Sequence, residues 1–94
     1  VIGAGTEMGK NIKIFQNVTI GGDPSTPGEY PTIEDGVIIY SGAVIAGDVT
    51  IGKNSIIGAN STVVSNIPPD SVAVGSPAKR VKERSGPYRR SETE

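Results

Sequence analysis

One rule with a period of six governs most of this chain. Apolar residues stand at Ile2, Met8, Ile14 and Ile20, then at Ile33, Ile39, Ile45, Ile51, Ile57 and Val63. Three places after each comes Gly, Asn or Asp: Gly5, Asn11, Asn17, Asp23, Gly36, Gly42, Asp48, Asn54, Asn60 and Asn66. A fixed internal repeat sets the architecture before any local propensity does. Six matches neither the 3.6 period of an amphipathic helix nor the alternation of a hairpin strand. Gly, Asn and Asp accept positive φ most readily, so each fourth position is expected to turn the chain sharply. The opening residue of each unit, with the small or branched residue at its fifth position, is expected to point inward; Val18, Val37, Ala43, Ser55 and Ser61 are examples. Three six-residue sides then close a triangular turn of 18 residues, and successive turns stack at about 4.8 Å. Ile33 comes to lie under Ile51, Ile39 under Ile57, and Ile45 under Val63.

The phase breaks once, between Ile20 and Ile33, where Asp23-Pro24-Ser25-Thr26-Pro27-Gly28-Glu29-Tyr30-Pro31 intervenes. Three prolines cannot continue a hydrogen-bonded ladder. Residues 23–32 are therefore expected to form a loop extruded from a corner of the coil. After Ile67 the repeat stops at Pro68-Pro69, and Ser71 to Val81 is expected to form one irregular strand packed back along the coil. The coil domain is placed at 1–82, and 83–94, polar and without hydrophobic period, is read as a disordered tail. Because Val1 already lies inside a repeat, the chain is expected to lack an upstream region.

Composition narrows the function classes. At 94 residues the chain supports one domain, with 13 Gly, 4% aromatic residues and no Trp. A formal net charge of −1 provides no footprint for nucleic acid. The lack of Cys excludes disulfides and thiolate metal sites and fits a reducing compartment. With no apolar run long enough to span a bilayer and no signal peptide, a cytoplasmic location is expected, with no membrane partner.

The repeat resembles that of the hexapeptide-repeat acyltransferases. The runs Ile14-Phe15-Gln16-Asn17-Val18-Thr19-Ile20-Gly21-Gly22, Pro31-Thr32-Ile33, Pro68-Pro69-Asp70 and Val74-Gly75-Ser76-Pro77-Ala78-Lys79 resemble the catalytic half of serine O-acetyltransferase, from about Val1 to Lys82. The resemblance implies an all-β, single-stranded left-handed parallel β-helix with acetyl-CoA as co-substrate and no metal requirement. It also implies a homotrimer, or a dimer of such trimers, with the site between neighbouring coils and the 23–31 loop reaching across. The positions matching the family's acetyl-CoA contacts are Gly22, Ser41 and Ala59, small residues expected on successive coils of one edge. Lys79 and Lys82 match basic positions that face the cofactor's phosphates.

The catalytic residues are less complete. There is no His in the chain. The resemblance puts one family histidine just before the stretch matching Val1-Ile2-Gly3, and a second where this chain has Tyr30. The family's substrate-carboxylate arginine falls at Glu29, in a loop one residue shorter, and a carboxylate there would repel an amino acid's carboxylate. Tyr30 offers a hydrogen-bond donor, or simply a loop anchor over the coil edge. Glu29 and Tyr30 mark the substrate loop, and no catalytic residue is assigned. Three functions follow from these residues. The first is acetyl transfer from acetyl-CoA to the hydroxyl of L-serine in cysteine biosynthesis. The second is O-acetylation of a sugar or polysaccharide hydroxyl, which needs no arginine, and the third is a non-catalytic structural β-helix. The serine type leads, and the 94 residues alone are expected to be inactive.

Overall fold

The computed structural model describes residues 1–23 and 25–84. In chain order its strands are β1 (Glu7–Met8), β2 (Lys13–Ile14), β3 (Thr19–Gly21), β4 (Thr32–Ile33), β5 (Ile38–Ile39) and β6 (Val44–Ala46). They continue with β7 (Thr50–Ile51), β8 (Ile56–Ile57), β9 (Thr62–Val63), β10 (Ser71–Gly75) and β11 (Ala78–Glu83). Strands six residues apart fall on different sides of a triangle, so each sheet collects every third strand. One side is β1-β4-β7, the second β2-β5-β8-β10-β11, and the third β3-β6-β9. All coil pairs are parallel, and β4-β7, β5-β8 and β6-β9 take the 18-residue register that the repeat requires: Ile33 opposite Ile51, Ile39 opposite Ile57, Ile45 opposite Val63.

The ladders make the core. Ile20, Ile33, Ile39, Ile45, Ile51, Ile57 and Val63 are fully buried, with Val18, Val37, Ala43 and Val49 filling the corners between them. Each such aliphatic side chain contributes roughly 1.5–3 kcal/mol relative to exposure. Ser55, Ser61 and Ser71 are also buried, at the level where the coil changes. There the turn shortens: Ile51 bridges to Ile67, 16 residues on, where Ile33 pairs with Ile51 at 18. The Ser55 hydroxyl donates to the Pro68 carbonyl (2.8 Å) and accepts the Ser71 amide (3.2 Å), and the Ser61 hydroxyl accepts the Gly75 amide (3.1 Å). Serines thus satisfy main-chain groups that the shortened turn takes out of the ladder.

The corners divide into two kinds, a distinction the repeat alone does not express. The corner leaving the β1-β4-β7 side carries positive φ at Asn11, Gly36, Asn54 and Asp70. The next, leaving the β2-β5-β8 side, does so at Asn17, Gly42 and Asn60. At the third, after β3, β6 and β9, the fourth-position residues Asp23, Asp48 and Asn66 are not left-handed, and neither is Gly5; Gly47 (φ 92) turns the chain one place earlier. The expectation of a sharp turn at every fourth position therefore holds at two corners and is corrected at the third. Asn66 instead accepts the Thr50 amide through its side chain at 2.9 Å.

Three boundaries also change. Thr32, expected in the loop, pairs with Thr50 in β4, because Pro31 is already buried in the coil. Residues 71–81 form not one irregular strand but a hairpin: β10 joins the coil beside β8, and β11 runs antiparallel to it across a cis Ser76–Pro77 turn. Glu83 belongs to β11, and Arg84 docks on the coil through its amide to Asp70 O (2.7 Å) and its guanidinium to Asn54 O (2.9 Å) and Gly36 O (3.3 Å). The coil and its hairpin thus reach at least Arg84. The rest of the expected tail, 85–94, lies outside the described residues.

Candidate active site

Two edges of the triangle carry the candidate residues. The first is the corner between the β2-β5-β8 and β3-β6-β9 sides, where Gln16, Ser41 and Ala59 stack. The Gly42 amide donates to Gln16 O (3.1 Å) and the Asn60 amide to Ser41 O (2.9 Å). Ser41 is half-buried and Ala59 exposed, so the main chain is approachable there without a bulky side chain in the way. The hairpin borders this edge: Val74 lies over Gly58, its Cγ1 2.6 Å from where a Cβ would stand, and Lys79 is opposite Val74.

The hairpin contains a register shift. Arg80 is opposite Ala73 and Lys82 opposite Val72, leaving Val81 as the extra residue. Without that bulge, residues three apart on a strand would face opposite ways. With it, Lys79 and Lys82 share the outward face of Val74 and Val72, while Arg80 goes with buried Ala73 and donates to Ser71 Oγ at 3.0 Å. Both lysines are exposed.

Gly22 is elsewhere, at the corner between β3 and β4, which corrects the expectation of a shared edge with Ser41 and Ala59. The loop lengthens one turn of the coil to 25 residues, as from Ile20 to Ile45, so Gly22 stacks near Gly47 and not near Ser41. The Gly47 amide donates to Gly21 O at 3.0 Å. A groove at this second edge is lined by Gly22, Asp23, Glu29, Gly47, Asp48 and Val64, and among the described residues no lysine or arginine lines it. The Asp23 carboxylate accepts the Ser25 hydroxyl (2.7 Å) and amide (2.8 Å), and these bonds hold its pKa below the ordinary 3.8.

Tyr30 closes the loop against its own coil. A Cβ on Gly5 would stand 2.6 and 2.7 Å from ring atoms Cε2 and Cγ. On Gly22 it would stand 3.2 Å from Cδ1 and Cε1, and on Gly3 3.3 Å from Cε1. Tyr30 is 37% exposed, and its phenol makes no hydrogen bond among the described residues. The anchoring alternative for Tyr30 describes this geometry. The slot itself escaped sequence reasoning, since Gly3 and Gly5 read there as repeat and corner positions 25 or more residues from Tyr30. Among the described residues no three His, Cys, Asp or Glu side chains converge to hold a metal, and no helix is long and apolar enough to cross a membrane.

Comparison with known proteins agrees with this geometry. The family model described as bacterial transferase hexapeptide (six repeats) matches residues 30–65. The crystal structure of Neisseria gonorrhoeae serine acetyltransferase is 44% identical with a TM-score of 0.87, over 92% of this chain and 34% of that one. Serine acetyltransferase of Bacillus licheniformis is 41% identical over 91 residues, 96% of this chain and 42% of its own length. The Brucella abortus serine acetyltransferase solved in complex with coenzyme A is 29% identical with a TM-score of 0.78, over 89% of this chain and 40% of that one. The chain therefore spans less than half the length of each of these relatives. Repeat, register and these matches agree on the fold, a left-handed parallel β-helix of six-residue units similar to the corresponding part of the serine acetyltransferases.

Proposed function

We propose that this chain is the acetyl-transfer coil of a serine O-acetyltransferase-like enzyme, moving an acetyl group from acetyl-CoA to the hydroxyl of L-serine for cysteine synthesis in the cytoplasm. The observation that carries this reading is the match across nearly the whole coil to N. gonorrhoeae serine acetyltransferase, at 44% identity and a TM-score of 0.87. Relatives solved with coenzyme A and with serine support the two reactants. The acyltransferase unit would comprise residues 1–82, extended by the end of the hairpin. On this reading the pantetheine arm lies along Ser41 and Ala59, and Lys79 and Lys82 meet the phosphates. Gly22 lies on the other edge of the same chain, so it would meet that arm only from a second copy. This supports a homotrimer, alone or as a dimer of trimers, in which each groove is built from two chains.

In the reaction the acceptor oxygen loses its proton to a general base as it attacks the thioester carbonyl carbon. The tetrahedral oxyanion collapses, the C–S bond breaks and the CoA sulfur is protonated. The 94 residues contain no His, and on this reading no general base is assigned among them. A second reading, transfer to a sugar or polysaccharide hydroxyl, is favoured by the groove beside the loop, where Asp23, Glu29 and Asp48 stand and, among the described residues, no cation is placed to receive a substrate carboxylate. The discriminating experiment is CoA release from acetyl-CoA by the full gene product with L-serine against a sugar panel. Serine-dependent release supports the first reading and sugar-dependent release the second. No release and no CoA binding would leave a non-catalytic coil. A monomer in sedimentation equilibrium would remove the two-chain groove.

A further inference from the structure

The slot that receives Tyr30 is built from space, not from backbone conformation. None of Gly3, Gly5 and Gly22 has positive φ, so an alanine at any of them would meet no conformational penalty. What each lacks is the volume of a Cβ where the ring now lies. On Gly22 that Cβ would also stand 2.5 Å from the Glu29 carbonyl oxygen, so the slot fixes the backbone before the ring as well as the ring itself. Immediately after it, Pro31 is fully buried and its carbonyl accepts the Glu7 amide at 3.1 Å, which returns the chain to the coil.

The rest of the loop has no such hold. Among the described residues the hydrogen bonds of 23–29 stay inside the loop: Ser25 to the Asp23 carboxylate, the Thr26 amide to Asp23 O (3.0 Å) and the Glu29 amide to Thr26 O (3.2 Å). Tyr30 is thus the side chain that ties a self-contained turn to the wall of the coil. That wall is one side of the groove along Gly22, Gly47 and Val64.

We propose that Tyr30 is a positioning residue for the acceptor side of the transfer site. Its ring, seated among Gly3, Gly5 and Gly22, sets the loop as a fixed wall against which the acceptor binds. The proposal rests on the acyl-transfer reading and adds to it the element that sets acceptor affinity. Ring shape is what the slot recognises, so Tyr30→Phe keeps the wall while Tyr30→Ala releases it. Gly5→Ala displaces the ring while leaving the tyrosine in the chain. Misplacement of a binding wall by about 1 Å can weaken transfer up to about a hundredfold.

The test uses the full gene product with whichever of L-serine or the sugars supports CoA release. Tyr30→Ala and Gly5→Ala are expected to raise the acceptor KM about tenfold or more, with a much smaller change in the KM for acetyl-CoA and Tyr30→Phe close to wild type. A second readout needs no turnover. Endoproteinase Glu-C cleavage after Glu29, identified by fragment mass, should accelerate in Tyr30→Ala and Gly5→Ala but not in Tyr30→Phe. Equal Glu-C rates in all four proteins overturn the slot. Faster cleavage with an unchanged acceptor KM overturns the positioning role. A Phe variant as impaired as Ala assigns the effect to the hydroxyl and also overturns it. Absence of CoA release by the wild type with every acceptor sinks the acyl-transfer reading, and the Glu-C comparison then decides the slot by itself.

Discussion

Gly42→Ala is the substitution that best tests how the corners hold the coil together. Gly42 has φ 76, and the Asn60 side-chain oxygen of the next turn occupies the place where a Cβ would stand. Two separate penalties follow. A left-handed conformation costs an L-residue roughly 1–2 kcal/mol. Pushing Asn60 aside disturbs a residue that is itself left-handed, at φ 58, and overpacking of this kind costs about 1–3 kcal/mol. The sum, about 2–5 kcal/mol, is a large part of the 5–15 kcal/mol typical of a domain. For a chain of this length it corresponds to a fall in Tm of more than about 10 °C. The two terms separate in a double variant. Asn60→Gly removes the obstructing oxygen and tolerates φ 58, so Gly42→Ala combined with Asn60→Gly should recover the steric part, about 1–3 kcal/mol. Gly21→Ala is the control, because it has open space around its would-be Cβ and no positive φ; its effect should stay within about 0.5 kcal/mol. Urea unfolding by circular dichroism, at one fixed protein concentration because assembly contributes to stability, reads all four. Gly42→Ala as stable as Gly21→Ala would refute the reasoning, and so would a double variant no better than the single.

Three further outcomes are expected. Ser55→Ala leaves the Pro68 carbonyl and the Ser71 amide without their buried partner and should destabilise by about 1–3 kcal/mol in the same urea assay; an unchanged midpoint would remove serine's role at the shortened turn. Arg84→Ala removes two guanidinium bonds to one corner on successive turns of the coil, one of them exposed, so about 1 kcal/mol is expected. Hydrogen exchange should accelerate at Lys82 and Glu83 and not at Ile45, and uniform protection would contradict the docking. The Asp23 carboxyl titrates below its unfolded value of 3.8, so its contribution to the loop is complete above that pH and is lost as pH falls through the folded value. The Ser25 amide shift in an NMR titration should follow that carboxyl, and a midpoint at or above 3.8 would contradict the Asx turn.

How much of this was legible follows from the range over which each feature acts. The ladders were legible because a period of six repeats the same local choice at Ile33, Ile39, Ile45, Ile51, Ile57 and Val63, and stacking needs no other information. The third corner was not. Asp48 and Asn66 satisfy the residue rule, yet Gly47 takes the left-handed conformation and Asn66 serves as a side-chain cap. The pattern of residue types is the same for both solutions. The bulge at Val81 was hidden for a similar reason: a strand of Lys and Arg carries no apolar alternation to mark a change of phase. The Tyr30 slot depends on Gly3 and Gly5 meeting a residue across a turn of the coil, a contact no local spacing encodes.

The shared edge expected of Gly22, Ser41 and Ala59 fails at Gly22, and the reason bears on the proposed assembly. From Gly22 to Ser41 is 19 places, close to the 18 from Ser41 to Ala59, so the three look like one column. The loop, however, lies between the first pair, and the turn that contains it spans 25 residues from Ile20 to Ile45. Gly22 consequently belongs to the corner at the far side of the β3-β6-β9 face from Ser41 and Ala59. That face presents Thr19, Val44 and Thr62 outward, side chains short enough for close approach of another coil. In the proposed trimer, turning this face toward the symmetry axis directs its two bounding corners to the two neighbours. Each neighbour then receives a different edge, Gly22 with the Tyr30-anchored loop on one side and Ser41, Ala59 and Lys79 on the other. The separation that defeats a single-chain site is thus the arrangement a cyclic assembly requires, because heterologous closure needs two unlike edges on every subunit.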